Sequence, residues 1–152
     1  SYAAAVEDGA RGCAGIIIQF PLYAGIMGMI RQSGLAADLS AAFVALAAGS
    51  ETGLSLATLA SAALVNLFVP SGGGQWGVQG PIVVETALAA GVPLPKAVMA
   101  LAYGDQLTNM LQPFWALPLL AITGARAREI VGYTAIVMLA ALAWVLLGLI
   151  VF

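Results

Sequence analysis

Two short stretches hold most of the residues in this chain that could bind a charged ligand. The first is Ser71-Gly72-Gly73-Gly74-Gln75, inside "NLFVPSGGGQWGVQG" at residues 66–80. Its glycines cannot continue a helix and leave no side chain between backbone N–H groups and a ligand; half-helix N-termini at such a break offer a positive end to an anion. The second is "GDQLTNMLQP" at residues 104–113, where Gly104 and Pro113 bracket Asp105, Gln106, Thr108, Asn109 and Gln112. Side-chain oxygens and freed carbonyls of that kind suit a cation. Asn66 and Gln79 flank the first stretch, either facing a site or satisfying open backbone groups. Other chemistries are excluded: there is no histidine, and Cys13 is the only cysteine. Zinc sites, disulfides, Cys/His dyads and Ser-His-Asp triads therefore go together. Cys13, in an apolar run beside Gly15, reads as a small packing residue. Ser71 has neither an activating base nor a G-x-S-x-G elbow, and no Gly-Lys-Ser/Thr follows the glycines to make a nucleotide loop. An enzyme is not expected, and no organic cofactor.

The elements that must position these residues sit in lipid. Of the 152 residues, 62% are hydrophobic and 8% charged, against about 25% charged in a soluble domain. No basic cluster is present to hold a nucleic acid. A spanning helix needs about 20 apolar residues. Residues 13–30 meet this, with Arg11 and Arg31 able to snorkel at the ends and Pro21 expected to kink the helix. Residues 129–152 form the clearest span, preceded by Arg126 and Arg128. Residues 35–48 place Leu35, Leu39, Phe43 and Leu46 on one helical face with Asp38 off it, as in an interfacial helix, the preferred reading, or the end of a tilted span. Gln19, Phe20, Pro21 and Tyr23 read as packing, and Trp76, Phe114 and Trp115 as packing or as an apolar wall.

Residues 54–69 and 81–90 make two apolar arms of about 24 Å and about 15 Å, against a core of about 30 Å. The second arm cannot cross alone, so residues 54–90 are expected to form a re-entrant hairpin with its tip at 70–77. Residues 98–123 are long enough to span, but an Asp at the centre costs roughly 2.5 to 3.5 kcal/mol. The helix is therefore expected to unwind at 104–113. Irregular backbone at membrane depth must be buried in protein or line a watery cavity. Tip and break are best placed facing each other around one site. Glu85, in the second arm, either sees water through that cavity or stays protonated against protein.

"QFPLYAGIMGMI", "NLFVPSGGGQWGVQGPI" and "GDQLTNMLQPFWALPLL" closely resemble the short-chain fatty acid transporter family, grouped in the ion transporter superfamily with dicarboxylate and citrate carriers. The resemblance covers nearly the whole chain and matches the C-terminal part of such a carrier. It implies one of two inverted repeats in an all-α membrane protein, with an interfacial arm, a re-entrant hairpin, a discontinuous helix and a final span. The function implied is cation-coupled secondary transport of butyrate- or acetoacetate-like monocarboxylates by alternating access. Carried onto this sequence, Ser71, Gly72, Gly73, Gly74, Gln75, Thr108 and Asn109 hold substrate. Asp105, ranked first, with Gln106 and Asn66, couples the cation, a proton or a sodium ion near Asp105, Thr108 and Asn109. The dicarboxylate carriers have a Ser-Asn-Thr tip where this chain has Ser-Gly-Gly-Gly-Gln, which is consistent with monocarboxylates.

Ser1 is not a methionine and "SYAAAVEDGARG" lacks the pattern of a secretory leader, so the chain is expected to be part of something longer. The expected partners are the lipid bilayer of the inner (plasma) membrane, crossed several times, the missing N-terminal repeat and a second copy. The positive-inside rule puts Arg126 and Arg128 in the cytoplasm, Lys96 outside, the hairpin open outward and Phe152 outside. A channel or a structural membrane subunit without coupled transport is the competing class.

Overall fold

The computed structural model describes residues 1–45, 47, 49–112 and 116–151. Among them, every regular element is an α-helix. They are α1 (Tyr2–Gln32), α2 (Leu35–Ala45), α3 (Glu51–Asn66), α4 (Gly72–Ala90), α5 (Leu94–Asn109), α6 (Leu117–Thr123) and α7 (Ala127–Val151). Two of these are long and apolar enough to cross a membrane, α1 and α7. At 1.5 Å per residue α7 is about 38 Å long, and its outward face carries Tyr133, Ile136, Val137 and Trp144, all well exposed. Apolar surface of this extent is what a hydrocarbon environment accommodates and water does not.

The centre is a three-helix layer of α3, α4 and α5. Ser50 caps α3 by accepting from the Gly53 N–H at 3.0 Å, and Ser71 caps α4 by accepting from the Gly74 N–H at 3.3 Å. Gly91, at φ 69°, closes α4 with a left-handed residue that only glycine adopts cheaply. Two short connections, 67–71 and 91–93, make α4 antiparallel to both neighbours, so α3 and α5 run parallel. Their register is constant along their length. Lys96 pairs with Glu51 at 2.9 Å near one end, and Thr108 donates to the Ala63 carbonyl at 2.9 Å near the other. Midway, Gly104 permits the closest approach: a Cβ there would overlap the Leu59 carbonyl oxygen and stand 2.7 Å from the Ala62 Cβ.

Ala47, Leu54, Val83, Ala87, Val92 and Ala97 form the apolar core at the Glu51–Lys96 end. Leu59, Ala100 and Leu107 pack against the inner face of α7 through Met138, Leu142, Val145 and Leu149. Val65 and Val69 meet Met27 and Ile30 of α1 and Leu39 of α2.

Several boundaries differ from the sequence-based expectation. The first helix starts at Tyr2, not at residue 13, and is continuous through Pro21. The glycines 72–74 and Gln75, Trp76 and Gly77 are helical, so the non-helical tip shrinks from 70–77 to 67–71. Glycine costs about 1 kcal/mol in a helix interior, but these residues occupy the first turn, whose N–H groups need no intrahelical partner, and Ser71 caps them. With the helix starting at Gly72, the second arm is 19 residues, about 28 Å, nearly twice the expected length. Residues 104–109 are likewise helical. The regular α-pattern ends after Asn109, where the N–H groups of Met110, Leu111 and Gln112 bond to the carbonyls of Leu107, Thr108 and Asn109 in tightened i to i−3 fashion. Leu46, Pro113, Phe114, Trp115 and Phe152 lie outside the described residues, as do the side chains of Gln19, Tyr23 and Phe43.

Candidate functional site

The C-terminal ends of α3 and α5 and the N-terminus of α4 come together, and Asn66 is the joint between them. Its side chain is fully buried. The Asn66 Nδ2 group donates to the Asp105 carbonyl at 2.8 Å, to Thr108 Oγ1 at 3.0 Å and to Asn109 Oδ1 at 3.0 Å. Gln112 Nε2 in turn donates to the Asn66 carbonyl at 2.6 Å. The Asp105 carbonyl, Thr108 Oγ1 and Asn109 Oδ1 are therefore met across the helix contact without any unwinding of α5. A side chain from a neighbouring helix supplies the donor that an isolated span would lack, which is why α5 stays helical through Asp105.

A second buried chain of bonds fixes α4 onto α3. Gln75 Nε2 donates to the Ala62 carbonyl at 2.8 Å and to Gln79 Oε1 at 2.7 Å, and Gln79 Nε2 donates to Ser61 Oγ at 2.9 Å. Four acceptor oxygens in this region are buried without a hydrogen-bond partner among the described residues: Asn66 Oδ1, Gln75 Oε1, Asp105 Oδ1 and Gln112 Oε1. The amide orientations follow from the network, because the Asn66, Gln75 and Gln112 NH2 groups each face a backbone carbonyl that only a donor can satisfy, and Gln79 must then accept from Gln75. The seam thus carries an excess of lone pairs.

Asp105 is half-buried, and its Oδ2 lies 3.5 Å from where a Cβ on Gly72 would stand. Its carboxylate therefore neighbours the first turn of α4, where the Gly72 and Gly73 N–H groups have no intrahelical partner and the dipole is positive. Asn109 Nδ2 reaches the same oxygen at 3.5 Å. A groove of about 420 Å³ opens there, lined by Gly72, Trp76, Val98, Leu101, Ala102, Asp105, Gln106 and Asn109. It is polar at the Asp105 end and apolar toward Val98 and Trp76.

Of the residues singled out from sequence, Gly72, Asp105, Gln106 and Asn109 line this groove. Asn66 and Thr108 lie behind it in the seam. Gly73 is exposed beside it, a Cβ on Gly74 would stand 3.0 Å from Met27 Cε, and Ser71 acts as the helix cap. Gln75 is fully buried against α3, and no direct ligand contact is open to it in this conformation. Gln106 faces the groove and not the Asn66 network. Glu85 is exposed. The stripe Ser55, Thr58, Ser61 on α3, buried against the layer, was missed from sequence. Its signal was a run of small hydroxyl residues at helical spacing in an otherwise apolar arm. No group of three or more acidic, histidine or cysteine side chains able to hold a metal occurs among the described residues.

Apolar helices of spanning length around a buried polar seam define an all-helical membrane protein. A model of the family described as "Short chain fatty acid transporter" matches residues 1–152, and the chain belongs to that family. It is 49% identical over 133 residues to a protein of Escherichia coli (strain K12) and 45% identical over 133 residues to one of Haemophilus influenzae (strain ATCC 51907 / DSM 11121 / KW20 / Rd). Both bear the name "Putative short-chain fatty acid transporter". The alignments cover 88% of this chain but only 30% and 29% of those relatives, so the chain spans less than a third of their length. No solved structure matches it.

Proposed function

We propose that this chain is the C-terminal part of a secondary carrier that moves short-chain monocarboxylates, of the butyrate or acetoacetate kind, across the inner membrane with a coupled cation. The observation that carries this reading is the position of Asp105. Its carboxylate sits at the glycine N-terminus of α4, on a groove with one polar and one apolar end. The free N–H groups of Gly72 and Gly73 suit a substrate carboxylate, and the apolar end suits its tail.

The same position supplies a reason for coupling. Two carboxylates about 4 Å apart repel by about 4 kcal/mol at an effective dielectric near 20, which weakens binding by roughly three orders of magnitude. A proton on Asp105, or a sodium ion among Asp105, Thr108, Asn109 and the spare oxygen of Asn66, removes that repulsion. The negative ends of α3 and α5 favour the cation in the same place. Substrate and cation then bind together or not at all, as symport requires. In this reading α3 and α4 form a re-entrant hairpin that moves against a scaffold containing α1 and α7. The inverted N-terminal repeat of the full carrier supplies the other half of the site, and two carriers pair as a homodimer.

The test uses the full-length carrier in liposomes with labelled butyrate under imposed sodium or pH gradients. Asp105→Asn is expected to abolish the dependence on the cation gradient, and Gly73→Trp to reduce uptake at least tenfold. Gradient-driven uptake that survives both substitutions would overturn the site. Uptake that neither saturates nor responds to a cation in the unmodified carrier would point to a channel instead.

A further inference from the structure

We propose that Trp76, seated on Gly80, is the residue that limits how long an acyl chain the groove accepts; this rests on the carboxylate site proposed above. Trp76 lies one helical turn beyond Gly72 on α4, about 6 Å along the axis, a distance that an extended short acyl chain spans. Its indole is 41% exposed and lines the groove opposite Val98, Leu101 and Ala102 of α5. A carboxylate held at the first turn of α4 therefore directs its tail along the groove toward this ring.

The ring's position depends on one residue. Gly80 is buried, and a Cβ there would stand 2.7 Å from Trp76 Cδ2, 2.8 Å from Cε2 and 3.0 Å from Cε3. Real side chains do not approach so closely, so the indole lies flat against α4 only because position 80 is glycine. On the adjacent face of the helix, Gln75 and Gln79 anchor α4 to α3 through the Ala62 carbonyl and Ser61. The backbone cannot easily move to make room. Any side chain at 80 must swing the indole outward, into the groove and toward the polar end. Removing the indole lengthens the apolar end instead. The two changes act on the same space with opposite sign, which general damage to α4 does not do.

The experiment measures how well unlabelled straight-chain monocarboxylates, acetate through decanoate, compete with labelled butyrate for uptake by the full-length carrier in liposomes. Trp76→Ala is expected to raise the potency of octanoate relative to butyrate by on the order of tenfold, the scale at which a pocket discriminates one or two methylenes. Gly80→Ala is expected to lower that ratio and favour acetate and propionate, and Trp76→Phe to fall between Trp76→Ala and the unmodified carrier. Thermal stabilisation of the detergent-solubilised variants by the same acid series reads the preference without transport, should a variant fail to turn over. An unchanged order of potencies in both Trp76→Ala and Gly80→Ala overturns the inference. Asp105→Asn, run alongside, separates the two levels. If it abolishes coupled uptake while the chain-length order stays fixed, only the role of Trp76 falls. If it leaves coupled uptake intact, the carboxylate site itself falls.

Discussion

Asn66 shows how one side chain replaces what looks from sequence like a structural defect. Its amide donates to three oxygens of α5, and its own carbonyl is tied to Gln112. Asn66→Ala removes the donor shared by the Asp105 carbonyl, Thr108 Oγ1 and Asn109 Oδ1, at a cost of about 1–3 kcal/mol in all where no water enters. The expected outcome is a clear fall in thermal stability of the detergent-solubilised carrier. Asn66→Asp, whose ionised carboxylate cannot donate, should fall at least as far; a carrier unchanged in melting temperature by both would show that the seam is hydrated. Gly104 makes a comparable prediction from packing. A methyl group there meets the Leu59 carbonyl and the Ala62 side chain, and backbone carbonyls cannot step aside. Gly104→Ala should therefore destabilise by about 1–3 kcal/mol, with faster hydrogen exchange in α3 and α5. Asn66 and Asp105 were legible in the sequence as polar residues in the wrong solvent. Their partners were not, because a donor 39 to 43 positions away leaves no local trace.

The glycine run of α4 belongs to the scale of the element. Read alone, Gly72-Gly73-Gly74 after Pro70 and Ser71 signals a break, and the break is there, but it ends at Ser71. The first turn of a capped helix tolerates glycine, and the buried bonds of Gln75 and Gln79 hold the next two turns against α3. Gly73 has open space around it. Gly73→Ala is therefore expected to raise the melting temperature, consistent with about 0.4–1 kcal/mol from reduced freedom of the unfolded chain. Were residue 73 in an irregular tip with positive φ, the same change would lower it, so the sign alone decides between the two descriptions. The helical end of α5 is the mirror case. Its polar run signalled unwinding at 104, yet the irregular pattern begins only at Met110, once the neighbouring helix has satisfied the residues before it.

The whole molecule is a polar seam wrapped in apolar helices whose outer faces are built for lipid. The parallel register of α3 and α5 puts the Glu51–Lys96 pair at one end of the layer and the Asn66 network near the other. The C-terminal part of α7, at Trp144 and Leu149, lies beside Lys96, so Lys96 and the start of α7 at Arg126 and Arg128 are expected on opposite sides of the membrane. In a full-length carrier with Cys13 and any other cysteines removed, single cysteines at Gly91 and Ala125 should react with an impermeant maleimide from outside and inside respectively. Labelling of both from the same face would refute the topology.

Composition alone determined the solvent of this protein, because twelve charges cannot cover 152 residues in water. The order of the segments, and the two places where an apolar chain carries polar groups, came from the same local physics. What tertiary structure decided was which partners those groups meet: amides reach from one helix to the next across a contact that the missing side chain of Gly104 lets close. Sequence periodicity records which solvent a face prefers, but the partner of a buried hydrogen bond is set by packing between distant segments. That is why the first and last turns of the helices, and the burial of Gln75, became visible only in three dimensions.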